Sequence, residues 1–215
     1  MTKKIMKTLA VAMCAVLLVA GSIAGTMAYL TSTATVSNTF TAGKVKITLD
    51  EAKVNAYGQP VDAEGNVVEL SVASRVAANE YKLIPGKTYT KDPIIHVAVG
   101  SEECYLFVKV ENGISAIESV ADPGTSVAAQ LLAKGWTLLS GDVYYRETAV
   151  DARNTKQDIP VFDNFTIATN ADVSTYGDGG SNEDAKIVVT AYAVQKDGFN
   201  DAGEAWDATK AGFGA

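Results

Sequence analysis

Tyr29-Leu30-Thr31-Ser32-Thr33-Ala34-Thr35-Val36-Ser37-Asn38-Thr39-Phe40-Thr41 carries a hydroxyl at every odd position, while its even positions include Leu30, Ala34, Val36 and Phe40. Period-two alternation puts those two sets on opposite faces of an extended chain, and the branched Cβ of threonine favours that geometry. The stretch therefore predicts a half-buried strand. Ala42-Gly43 interrupts it, and from Lys44 onward the apolar residues fall on odd numbers, Val45, Ile47 and Leu49, so a bend or bulge is expected at Gly43.

Downstream, the same signals repeat. Strands are expected over Val67 to Val72, after the turn Asp62-Ala63-Glu64-Gly65-Asn66, over Ile94 to Val99 after Pro93, and over Glu103 to Val110. Others are expected over Thr137 to Arg146, Ile159 to Ala168 and Ile187 to Gln195, the last apolar on both faces and so covered on both sides. Two short helices fit the remainder: Ser126 to Lys134, with Ser126 as N-cap and Gly135 as stop, and the alanine-rich Asp201 to Ala211 with Glu204 in its first turn. Many strands divided by Gly, Asn and Asp turns, with helices only as inserts, predict an all-β antiparallel sandwich, specifically a jelly roll. The polar stretch Thr175 to Asp184 reads as a surface loop.

Upstream, Lys3, Lys4 and Lys7 precede an apolar run from Leu9 to Ala24, and Gly25, Thr26 and Ala28 offer small residues for a peptidase. Gly21, Ser22, Gly25 and Thr26 interrupt the run before it reaches a bilayer span of about 20 residues. Residues 1–28 therefore read as a cleavable signal peptide, cut between Ala28 and Tyr29. The end of the chain, Lys210 to Ala215, shows neither a wall-sorting signal nor a hydrophobic tail, so no stable membrane insertion is expected after cleavage. The expected layout is a signal over 1–28, an N-terminal strand segment over 29–43 and one sandwich domain over 44–215.

Cleavage would remove three lysines and no acid, leaving 15 basic and 25 acidic residues, net −10. Such a surface argues against nucleic acid and anionic lipid as partners. Cys14 leaves with the signal, so Cys104 alone cannot form an intrachain disulfide and the fold must stand on packing. Export without disulfides fits a Gram-positive envelope. In Glu103-Cys104-Tyr105-Leu106-Phe107-Val108-Lys109-Val110 the even positions Cys104, Leu106, Val108 and Val110 form one apolar face, which makes Cys104 a core residue. Trp206, beside Ala202 and Ala205 and after Phe199, reads as a core plug.

The sequence carries no recognisable catalytic motif. His96 is the single histidine, flanked by Ile95 and Val97, and a zinc hydrolase needs two or three nitrogen ligands or a His-Glu-x-x-His helix. No Gly-x-Ser-x-Gly elbow occurs, and a Cys104/His96 dyad would need an exposed, activated thiol. No catalytic or metal residue is assigned and no cofactor is expected. Calcium is carried only as a candidate for the acidic turns at Asp62 and Glu64 and at Asp172, Asp178, Glu183 and Asp184, which otherwise read as solvated loops.

Gly25-Thr26-Met27-Ala28-Tyr29-Leu30-Thr31 followed by Asn38-Thr39-Phe40-Thr41-Ala42-Gly43 resembles the signal region of the TasA and camelysin-like proteins, which are processed by the peptidase SipW. Leu83-Ile84-Pro85-Gly86 with Lys91-Asp92-Pro93, the Cys104 to Val110 strand, and Tyr192-Ala193-Val194-Gln195 with Ala205-Trp206 resemble later landmarks of the family; residues 55–79 match none. The resemblance implies a jelly-roll protein exported from a Gram-positive cell and assembled into biofilm-matrix fibres. It also implies the mechanism, in which the N-terminus of one subunit enters the next as a donor strand, with a SipW-like peptidase and an accessory or anchoring subunit as further partners.

The residues agree with strand donation on their own terms. An extended segment with one apolar face suits addition to an open sheet edge, where backbone hydrogen bonds give affinity and alternate side chains give register. Each bond contributes about 0.5–1.5 kcal/mol net, so roughly ten of them with Leu30, Ala34, Val36 and Phe40 facing the acceptor would hold a filament. Cleavage after Ala28 would free that strand. The other reading of the segment is an ordinary first strand folded onto its own domain. Two further functions stay open: a camelysin-like metallopeptidase, which a single histidine and no metal motif disfavour, and a monomeric surface adhesin.

Overall fold

The computed structural model of this chain describes residues 30–33, 45–120, 124–174, 176 and 186–213. The signal segment, the Ala28/Tyr29 bond, Ala34, Val36, Phe40, Gly43 and most of the 175–184 loop lie outside the described residues.

Thirteen strands are described: β1 Leu30–Thr33, β2 Ile47–Ala52, β3 Arg75–Val76, β4 Ala78–Tyr81, β5 Thr88–Thr90, β6 Ile94–Val97, β7 Ser101–Asn112, β8 Thr137–Ser140, β9 Val143–Tyr145, β10 Val150–Ala152, β11 Gln157–Pro160, β12 Asn164–Thr166 and β13 Ile187–Gln195. Two helices, α1 Val127–Ala133 and α2 Ala202–Phe213, and a 3-10 turn at Leu70–Val72 complete the set. Every pairing between these strands is antiparallel. The fold is all-β.

One sheet has the order β11-β6-β2-β3; the other has β13-β7-β9-β8, with β10 also pairing with β7. Two short ladders, β12-β5 and β1-β4, stand beside them. Pairing of β13 with β7 runs unbroken from Ile187 opposite Asn112 to Gln195 opposite Cys104. The alternation that the sequence predicts from Val45 onward is realised: Val45, Ile47 and Leu49 are buried and the residues between them are exposed.

The interior has two compartments. The larger takes Ile47, Leu49, Ile95 and Val97 from one sheet and Cys104, Leu106, Val108, Val110, Val189 and Ala191 from the other. The smaller lies on the opposite face of β7 and β13, where Tyr105, Phe107, Tyr192 and Val194 pack under Ala202, Ala205 and Trp206 of α2. β13 is thus covered on both faces, as its two-sided apolar pattern requires. Trp206 meets Phe107, Tyr192 and Phe213 at ring-centroid distances of 5.0, 5.7 and 5.9 Å, the separations at which aromatic pairs attract beyond their buried area.

Both helices begin where their capping residues dictate. The Ser126 hydroxyl accepts the Ala129 N–H at 3.2 Å, and the Asp201 carboxylate accepts the Glu204 N–H at 2.8 Å. The loop between β2 and β3 turns on Asn55, whose side-chain oxygen accepts from Tyr57 N and Gln59 N, and on Gly58, whose φ of +73° favours glycine. A Cβ at Gly58 would stand 2.8 Å from both Cα and Cδ1 of Tyr89, so the loop lies directly against β5.

Three expected strands are corrected. Val67 to Val72 is not a strand: Val67 makes one bridge to Val61 and Leu70–Val72 is a 3-10 turn, with Val67, Leu70 and Val72 all exposed. Its apolar residues find no sheet face to cover, and β propensity without burial does not hold a strand. Thr137 to Arg146 is a hairpin, β8 and β9, turning at Gly141-Asp142. Ile159 to Ala168 divides at Pro160 into β11 and β12, which join different ladders.

Candidate functional site

Two features of the region around β4 go beyond ordinary packing. The first is its edge. Among the described residues β4 has a single strand partner, β1, in the register Leu30 to Tyr81, Thr31 to Glu80, Ser32 to Asn79 and Thr33 to Ala78. β1 also runs beside β13. The start of the alternating segment is therefore seated as a strand against an edge of its own domain, in the manner of the ordinary-first-strand reading. Of the four residues expected to face an acceptor, Leu30 falls within this pairing.

The second feature lies behind that edge. Glu51 continues the inward phase of Ile47 and Leu49 on β2, Asn79 takes an inward position on β4 with Tyr81, and Lys91 follows Tyr89 in phase just after β5. Alternation thus delivers three polar side chains to one place in the core, with Glu51 and Lys91 fully buried and Asn79 5% exposed. Lys91 Nζ donates to Glu51 Oε2 at 2.6 Å. Asn79 Nδ2 donates to Glu51 Oε1 and to the Ala52 carbonyl, both at 2.8 Å, while Asn79 Oδ1 accepts the Val54 N–H at 2.8 Å. One carboxylate therefore bridges an amine and a carboxamide.

A rim of charge surrounds this triad. Asp92 accepts the Ala52 N–H at 2.7 Å and pairs with Arg75 at 2.7 Å, and Arg75 also holds Asp50 at 2.7 Å. On the inner side, Tyr81, Tyr89 and Phe165 form an aromatic cluster with ring centroids 5.1 to 5.7 Å apart, and the Tyr81 hydroxyl donates to the Thr90 carbonyl. Burial, with the nearby Glu51 and Asp92 charges, pushes the Tyr81 phenol well above its usual value. Burial likewise lowers the Lys91 amine from its usual value, against the pull of Glu51 in the opposite direction. Removing one member of such a buried pair costs about 3–5 kcal/mol, because the other charge is left without compensation. The sequence reading missed all three residues, although a charged residue in the apolar phase of an alternating strand was the available signal.

The residues singled out from sequence take quieter places. Cys104 is fully buried in the larger compartment, where burial and then the Glu103 charge push its thiol up to about 12. Leu106, Val108 and Val110 share that compartment, and Trp206 fills the smaller one. His96 hydrogen-bonds Asp158 through Nδ1 and Asp50 through Nε2, tying β11 and β2 to β6. Cys104 lies in the larger compartment and His96 in this polar pairing, so the structure joins them in no dyad. Asp62 accepts from Asn66 and Asp172 from Ser174, each within its own turn. Among the described residues no three His, Cys, Asp or Glu side chains gather in a cluster suited to a metal ion. No helix among the described residues is long and apolar enough to cross a membrane.

Comparisons of the chain with protein-family models, with curated proteins and with solved structures find no match.

Proposed function

We propose that this chain is a secreted structural subunit, a TasA/camelysin-like jelly roll that polymerises head to tail by donor-strand complementation into extracellular matrix fibres of a Gram-positive bacterium. The pairing of β1 with β4 carries the reading. A segment that can fill an edge of its own domain can fill the identical edge of the next copy, since the contacts are the same and only the connection differs. Exchange of this kind is heterologous and need not close, which yields fibres rather than rings. The edge also needs an occupant, because exposed N–H and C=O groups on a strand invite pairing with any chain available.

The role is structural and not catalytic, and its main partner is a second copy of the chain. A SipW-like peptidase would release the strand by cutting between Ala28 and Tyr29, and an accessory or anchoring subunit would start or hold the fibre. Negative-stain electron microscopy of two purified proteins, residues 29–215 and 44–215, tests the reading. Filaments from the longer and monomers from the shorter are expected. Monomers from both, with both folded, would return the segment to the role of an ordinary first strand and leave a monomeric adhesin as the better account.

A further inference from the structure

The number of hydrogen bonds around Lys91 is too small for the group it carries. A lysine ammonium has three donors and no acceptor, and a fully buried one needs a partner for each. Among the described residues Lys91 Nζ has one hydrogen-bond partner, Glu51. A secondary amide nitrogen in the same place would have one hydrogen to donate, which one hydrogen bond to Glu51 satisfies. The second nitrogen on that carboxylate belongs to Asn79, so one buried carboxylate holds both the amine and the carboxamide.

From this juxtaposition we propose that Lys91 and Asn79 become joined by an intramolecular isopeptide bond, with Glu51 transferring the protons. Lys91 first passes a proton to Glu51, which leaves a neutral amine and a neutral acid. The Nζ lone pair then forms a bond to Asn79 Cγ, and the carbonyl electrons move onto Oδ1, where the Val54 N–H already donates. Glu51 gives its proton to Nδ2 and takes another from Nζ. The carbonyl re-forms, the Cγ–Nδ2 bond breaks and ammonia leaves. Nothing is oxidised or reduced: one amine and one carboxamide become one secondary amide and one ammonia, and Glu51 ends as the neutral acid.

The surroundings favour each step. Burial lowers the amine from its usual value and so favours the nucleophilic form. Glu51 and Lys91 are fully buried and Asn79 nearly so, and exclusion of water leaves the amine without a competitor for the amide carbon. Folding fixes both reactants on one carboxylate, which replaces a bimolecular encounter by a positioned one. The product would tie β4 to the strand end after β5, fastening the edge against which β1 lies. The bond itself does not depend on whether the chain forms fibres.

Mass spectrometry of a tryptic digest of the purified full chain tests it. Trypsin cuts after Arg75, Lys82, Lys87, Lys91 and Lys109, and an acylated Lys91 is not cut. The expected result is one branched species joining residues 76–82 to 88–109, lighter by one ammonia than the two peptides together. Separate 76–82, 88–91 and 92–109 peptides from the folded wild-type protein would overturn the bond, whatever any variant does. Glu51→Gln is expected to abolish the branched species, and Glu51→Asp, whose carboxylate is one methylene further away, to yield it incompletely. Full linkage in Glu51→Gln would overturn the assignment of Glu51.

Discussion

Replacing Gly58 by alanine should be much more damaging than the same change at Gly65, and the difference follows from what each Cβ would meet. Both residues have positive φ, +73° and +91°, so each alanine is strained by about 1–2 kcal/mol. At Gly65 nothing lies within 4 Å of the added carbon, and the cost stops there. At Gly58 the carbon would stand 2.8 Å from Cα and Cδ1 and 3.0 Å from Cβ of Tyr89, and the Cα is backbone of β5. Overpacking of that kind adds about 1–3 kcal/mol, for a total of about 2–5 kcal/mol. Tyr89 has little room to give, since it is fully buried and stacked on Phe165 at 5.1 Å. Urea unfolding of Gly58→Ala and Gly65→Ala beside the parent measures both, with equal slopes required for the comparison. Equal losses at the two sites would refute the clash with Tyr89 as the cause.

Trp206→Ala should lower stability by about 3–5 kcal/mol, with hydrogen exchange quickening in α2 before β7, because the helix rests on the smaller compartment alone. Cys104 should ignore a thiol reagent at neutral pH until denaturant is added, since the group is fully buried and its pKa lies at about 12; prompt labelling of the native protein would contradict that placement. Asp151, held at about 2 by hydrogen bonds from Arg153, contributes stability that is complete above 3.8 and fades as pH falls through 2. An Asp151 titration midpoint near 3.8 in NMR spectra would show that the contact is not kept in solution.

The long apolar strands were legible in the sequence. β13 has the predicted limits, β7 extends the expected span by two residues at each end, and the Ser126 cap stands where the sequence puts it. What stayed illegible was short or polar. β3, β4 and β5 span two to four residues, with Arg75, Asn79 and Glu80 among them, and strands of that kind exist only because neighbours supply their partners. The triad was hidden for a different reason. Glu51 and Lys91 look like surface residues until the phase of their strands is followed inward, and nothing in a linear reading brings positions 51, 79 and 91 together.

The two compartments on either side of β7 also bear on how this sequence can change over generations. Cys104, Leu106, Val108 and Val110 send aliphatic side chains and a thiol into the larger compartment, whereas Tyr105 and Phe107 send rings into the smaller one under α2. Insertion or deletion of a single residue inside the strand would exchange the two sets, so that Tyr105 and Phe107 would meet the packing shaped around the aliphatic set and Trp206 would lose the rings it rests on. Substitutions can accumulate there one at a time, but the length between Ser101 and Asn112 is fixed. Drift in chain length is tolerated more readily where β10 meets β7, because the register already slips between Val150 and Ala152.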